Sequence, residues 1–413
     1  MDELSENVFD KIIEENFSEE KLILLLFEKK LNAFDIKLTK KQKKQLIFHW
    51  RTNTLEEMQI EPTIQQSAHL QKLGHNELVL DFGQADFDEF QEEINQLFFD
   101  ESNKTIERLS EKLKINWNSQ LKSVLKKLKA NQQSFTNHLS KIWGKPLDLL
   151  EALISISTEY GLGFNYKYRP IEASNNNVVF DALTRLHARG CQVSSEVLAL
   201  LKNGFADGAH ARWRTLHEIC VVAMFIGLHD NDVAEKYLDH YAVTDYHDAL
   251  QYNKYYEVLS YPPISESEYA SIKSSHEESV KRYGPDFDSD YGWAAEVLGK
   301  RKPSFVDIEE KVQLSHMRPF YKLANMNVHS GSKGARLRLG LPPKNPNLLV
   351  AGSSIYGLAE PGQNTAYSIF SLTTTLLRLQ PNLENASFTL AYQKLMEEVM
   401  LEFDKVAAKS ENF

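Results

Sequence analysis

"HARWRTLHEICVVAMFIGL", residues 210–228, sets two histidines, two arginines and a glutamate beside an almost unbroken apolar run. On a helix, residues four and eight apart share a face, so His210, Arg214 and Glu218 form one polar line. The continuation from Ile219 is apolar nearly all round, as expected of a helix covered by others. Charge so close to a core must be paired or must line a wetted cleft, because an unpaired buried charge is costly. The stretch therefore marks the centre of a helical body. Its charges read either as an Arg–Glu brace between helices or as one wall of a site.

Working outward, apolar spacing of three and four predicts helices over 175–203, 209–228 and 232–259, with a hinge at 204–208. Further helices are expected at 266–283, 290–299, 304–330, 362–379 and 385–408, and in the first part of the chain at 4–31, 39–59, 86–99, 102–142 and 146–159. "HNELVLDFG" (75–83) reads as a strand, and "RLRLG" (336–340) with "NLLVAG" (347–352) as a short hairpin. The Gly- and aromatic-rich "STEYGLGFNYKYRP" (157–170) suggests a break, dividing an N-terminal, mainly helical region (1–160) from a main helical domain (161–413). The expected fold class is mainly α: a multi-helix bundle with at most a small β element.

The chain has 413 residues, of which 42% are hydrophobic and 25% charged, enough for a sizeable core. A formal net charge of -10 excludes general, sequence-blind binding to nucleic acid or acidic membranes, which draws on Lys and Arg neutralising phosphates. With only Cys191 and Cys220, neither a disulfide framework nor a Cys-rich zinc site can form. The acidic, amphipathic start lacks the pattern of a signal peptide, and no apolar run is long enough to span a bilayer. A cytoplasmic protein without a membrane partner is expected.

A second concentration of chemistry follows in "NMNVHSGSKGARLRLG" (325–340), where His329 precedes small residues that let a backbone approach a ligand closely. No Asp or Glu occurs between Lys311 and Ala359, although the chain average would place about seven there; Arg318, Lys322, Lys333, Arg336, Arg338 and Lys344 stand there instead. A basic island in an acidic protein points to an anion, a phosphate above all, or to pairing with acidic surface. Asp239, His240, Asp245, His247 and Asp248 look like metal ligands at first sight, but no HExxH or related spacing is met. They read as part of an amphipathic helix with a tyrosine stripe. Neither a metal nor a cofactor is assigned, and no P-loop, GxGxxG or GxSxG motif is present.

"GFADGAHARWRTLHEICVVAMFIGLH" (204–229), followed at a distance by "LANMNVHSGS" (323–332), resembles a bacterial family catalogued as domain of unknown function 5677, over roughly residues 170 to 380. The resemblance implies a helical protein with an Arg-x3-Glu on one helix, matching Arg214 and Glu218. It also implies an Asn/His element on a later helix, matching Asn325 or Asn327 and His329. That family is similar in layout to the HEPN superfamily of helical bundles, whose members include metal-independent ribonucleases of toxin and phage-defence systems that often work as dimers. Their Arg-x4-6-His motif is met by Arg212 and His217, with Trp213 where a polar residue commonly follows the arginine.

The resemblance thus implies an effector acting on RNA or a nucleotide. His329 or His217 would move the protons, Arg212 and Arg214 would clamp phosphate, and Glu218 would orient a partner. His210, Asn325, Asn327, Lys333, Arg336 and Arg338 would hold substrate. The other reading is a non-catalytic helical protein that binds an anionic ligand or a partner protein.

Overall fold

The computed structural model describes residues 17–52, 57–329, 331–345 and 347–410. The first part of the expected helix at 4–31, the end of that at 39–59, and Ser330 and Pro346 in the basic segment lie outside or partly outside this range. Among the described residues the chain is helical with no strand. It divides into two compact units, Met1–Val124 and Leu125–Phe413.

In the first unit, helices α1 (Glu19–Asn32), α2 (Lys40–Thr52) and α3 (Ile64–Lys72) precede the start of α4 (Gln84–Ser174). Leu31, Ile36 and Leu70 form a small core. The segment 75–83 is irregular chain and not a strand. Its alternation is real, since Leu78 and Leu80 pack on that core while Val79 is exposed. Without a partner strand no ladder can form. Helix α3 was not foreseen; its signal was Thr63 with Gln66 three residues on, which close a capping box.

Helix α4 runs unbroken through 157–170, where the sequence suggested a break, and the expected boundary at 160 falls inside it. The reason is packing. A Cβ at Gly161 would lie 2.2 Å from the His187 ring, so this glycine lets a neighbouring helix approach instead of ending its own. Residues 111–134, the lysine-rich part of α4, are exposed throughout.

The second unit is organised around α6 (Ala206–Gly227), which packs against α5 (Val178–Lys202). Helices α7 (Asn231–Asp239), α8 (Tyr241–Tyr255) and α9 (Glu266–Tyr283) follow, then 3-10 turns at Pro285–Asp288 and Gly292–Ala294. The chain continues with α10 (Ala295–Leu298), α11 (Phe305–Lys311), α12 (Arg318–Val328), α13 (Ser332–Arg336), α14 (Ala359–Leu377) and α15 (Leu383–Ser410). Helices α5, α11, α12 and α14 all pack on α6. Trp213, Leu216, Val221, Ala223, Phe225 and Ile226 of α6 are buried, as the apolar run required. Trp213 Nε1 donates to the Asn364 carbonyl and to Ser368 Oγ of α14, both at 3.0 Å. The single helix expected over 232–259 is two, α7 and α8, meeting at His240. The pair "RLRLG" and "NLLVAG" makes no hairpin; the end of α13 and irregular chain stand there, linked by an Arg338 Nη2 bond to the Val350 carbonyl at 2.8 Å.

The turn between α5 and α6 depends on Gly204, which has φ +76° and whose carbonyl accepts from Ser354 N at 2.8 Å. A Cβ there would lie 2.6 Å from the Phe135 ring and 2.7 Å from the Ser354 carbonyl oxygen. Gly204→Ala combines a disfavoured backbone with overpacking and should cost about 2–4 kcal/mol, read from denaturant unfolding of the full chain.

Candidate functional site

The polar line of α6 divides in the structure. Arg214 and Glu218 are one turn apart, with Nη2 to Oε1 at 2.9 Å, and their side chains are 25% and 28% exposed, so water reaches both. Tyr321 of α12 closes a trio. Its hydroxyl accepts from Arg214 Nη2 at 2.7 Å and donates to Glu218 Oε1. The Arg214 guanidinium also lies 4.8 Å from the centre of the Tyr321 ring. Burial pushes the Tyr321 phenol up, with Glu218 adding to the effect, and pushes the Tyr291 phenol up to about 12, so both hydroxyls stay protonated donors. Two buried polar atoms here have no hydrogen-bond partner: Arg214 Nε and, one turn beyond Tyr321 on α12, Asn325 Oδ1.

Next to this trio lies a largely buried charge network. Glu309 of α11 has no exposure, accepts from His217 Nε2 at 2.8 Å through Oε1, and forms an ion pair with Arg318 through Oε2. Arg318 also stacks over Phe305 and Tyr321, at 5.5 and 5.0 Å. His217 is thereby committed to the interior. Arg212 turns the other way and pairs with Glu196 of α5. The Arg-x4-His spacing is literal in the sequence, but five residues turn a helix by about 140° beyond a full circle, so the two side chains leave on different faces.

His210 has no exposure, and its ring stacks against Trp213. Burial holds its imidazole down to about 4 and pushes up the carboxyl of Glu360, whose Oε1 is 3.3 Å from His210 Nε2. It faces α14, away from the open trio.

His329 ends α12, and its side chain is exposed; Asn327 is half-buried, and neither hydrogen-bonds to the trio. Lys333, Arg336 and Arg338 are exposed on α13 and the chain after it. Among the described residues no carboxylate pairs with these three. This basic strap is anchored at two points. A Cβ at Gly334 would lie 2.6 Å from the Met326 carbonyl of α12, so the strap lies directly on that helix. Farther on, Asp207 in the first turn of α6 accepts from Leu339 N at 2.8 Å and from Gly340 N at 3.2 Å.

Sequence reasoning found Arg214, Glu218 and the strap but missed Tyr321, Glu309 and Asp207. The first had a signal: Tyr321, Asn325 and His329 recur at intervals of four.

A second cluster lies on α4, α5 and α14. Ser157 Oγ is 2.7 Å from Thr373 Oγ1 and 3.2 Å from His187 Nε2, with the Cys191 thiol at 3.5 Å. It borders a cavity of about 370 Å³ lined by Gly161, Asn165, Thr184, His187, Cys191 and Leu376 among others. Burial pushes the Cys191 thiol up, which keeps it protonated and poorly nucleophilic. Burial holds the His187 imidazole down to about 4, below its ordinary 6.5.

Two outcomes test this picture. Removing the Glu309 carboxylate strands a buried guanidinium and an imidazole, so Glu309→Ala should lower unfolding free energy by about 3–5 kcal/mol in denaturant titration. Between about pH 4 and pH 6.5 the unfolded chain binds a proton at His187 that the folded chain does not. Stability therefore rises with pH across that window and is lost as acid is added. His187→Gln should flatten the pH dependence of unfolding there by about one proton.

No helix among the described residues is long and apolar enough to cross a membrane. No curated protein and no solved structure matches the chain. The segment that contains α6, Glu309, Tyr321 and the basic strap does match a family model: residues 180–346 are similar to a family of unknown function, DUF5677.

Proposed function

We propose that the second unit binds a phosphate-bearing ligand, RNA or a nucleotide, along the basic strap, with the Arg214–Glu218–Tyr321 trio as a polar contact on the same two helices. The observation that carries this reading is the strap itself. Lys333, Arg336 and Arg338 stand exposed in a stretch without a single acid, and the strap is held on α12 and at the start of α6. Guanidinium and ammonium groups without carboxylate partners are suited to phosphate oxygens. The net charge of -10 favours binding at a local basic segment over binding across the whole surface.

Metal-independent cleavage of bound RNA is a second reading, favoured by the exposed imidazole of His329 just before the strap. Cleavage requires a proton to leave the ribose 2′-OH and another to reach the departing 5′-oxygen, and an imidazole serves either transfer near neutrality. Of the three imidazoles considered, His217 is bound to Glu309 and His210 lies in the core, which leaves His329 for this work.

Fluorescence anisotropy with a labelled single-stranded RNA, repeated across salt concentrations, tests both. The variant K333A/R336A/R338A should bind at least about tenfold more weakly, with a salt slope reduced by about two to three. Affinity and slope equal to the unaltered chain would overturn the binding reading. His329→Ala should keep the affinity and lose cleavage; a variant that still cuts sinks the second reading.

A further inference from the structure

His247 of α8, His276 of α9 and Asp288 at the end of the Pro285–Asp288 turn come from three separate elements and converge. Asp288 Oδ1 lies 2.7 Å from His276 Nε2 and 3.3 Å from His247 Nε2, and all three atoms lie within 4.8 Å of one another. Among the described residues no other group of three His, Cys, Asp or Glu side chains meets so closely. The group is remote in sequence from the Arg214 trio and independent of the function proposed above. The sequence reading noticed His247 but set it among its neighbours on one helix. His240 is instead buried against the Ser289 carbonyl, and the partners of His247 lie 29 and 41 residues farther along.

We propose that His247, His276 and Asp288 hold a divalent first-row transition ion, with zinc the best match to the donors and at least one coordination position left to water. Two imidazole nitrogens and one carboxylate oxygen are a donor set such ions take, and three protein ligands with an open fourth position recur around zinc.

The spacing fits. Ligand atoms about 2.0–2.2 Å from a tetrahedral ion lie about 3.3–3.6 Å from one another. The His247–Asp288 separation of 3.3 Å already has that value, and the His276–Asp288 separation of 2.7 Å needs to open by little more than half an ångström. Both rings turn Nε2 toward the same Asp288 oxygen, so the donor atoms face one another.

The surroundings fix the ligands without sealing them off. Tyr246 stacks on the His276 ring at 4.3 Å. The turn that carries Asp288 is pinned by buried Phe287 and by Gly292, where a Cβ would lie 2.2 Å from the Phe287 carbonyl oxygen. The side chains of His247 and Asp288 are 47% and 43% exposed, which leaves an entry path for the ion.

The full chain, dialysed against chelator and then titrated with zinc chloride by calorimetry near neutral pH, tests the proposal. One ion per chain should bind, and zinc should raise the melting temperature. His276→Ala and Asp288→Asn, each checked for an unchanged circular dichroism spectrum, should bind at least about tenfold more weakly. Cobalt(II) added in place of zinc should give visible absorption from a low-coordinate site, lost in Asp288→Asn, a variant that keeps the carboxylate's shape and removes its charge. No binding by the unaltered chain would show a purely hydrogen-bonded trio and overturn the proposal. Binding of unchanged strength and stoichiometry in H247A/H276A would overturn it as well.

Discussion

A carboxylate with no access to water, Glu309, sets the terms on which the second unit assembles. Its negative charge would be prohibitive alone, so α11, α6 and α12 must meet where Arg318 and His217 can answer it. That requirement orients α12, and with it Tyr321, toward the polar line of α6. The Arg214–Glu218–Tyr321 trio is the wetted edge of a network that is largely buried elsewhere. Glu309 thus ties three helices together, and the trio beside it stays partly open to water.

The three histidines on or near this network share a residue type and little else. His217 donates into the interior, His210 is held neutral against Trp213, and His329 stands in water. Burial and available partners decide which imidazole can exchange protons with a ligand. A motif defined by spacing alone does not distinguish them. Arg212 shows the same point, since Glu196 draws it to α5 and away from His217.

Helical periodicity made most of the fold legible, because the apolar rows of α5, α6 and α14 are long and their burial follows the 3.6-residue repeat. Misreadings arose where one residue type serves two physical purposes. Gly161 looked like a break and is a point of close approach; Leu78 and Leu80 looked like strand and are a short irregular cover over a small core. The Arg214–Glu218 pair was legible because its partners are one turn apart on one helix. Tyr321, Glu309, Asp207, His276 and Asp288 were not, because each acts on a residue at least 12 positions away, and long-range pairing leaves no local pattern.

The clip at Asp207 has a consequence of its own. It grips the peptide groups of Leu339 and Gly340, not their side chains, so this anchor does not depend on the side chains of Lys333 and Arg336. Lys333 and Arg336 can be exchanged without removing this anchor, whereas the Arg338 side chain also ties the chain to the Val350 carbonyl. Point changes at Lys333 and Arg336 would thus alter the charge this segment displays while the surrounding helices stay as they are.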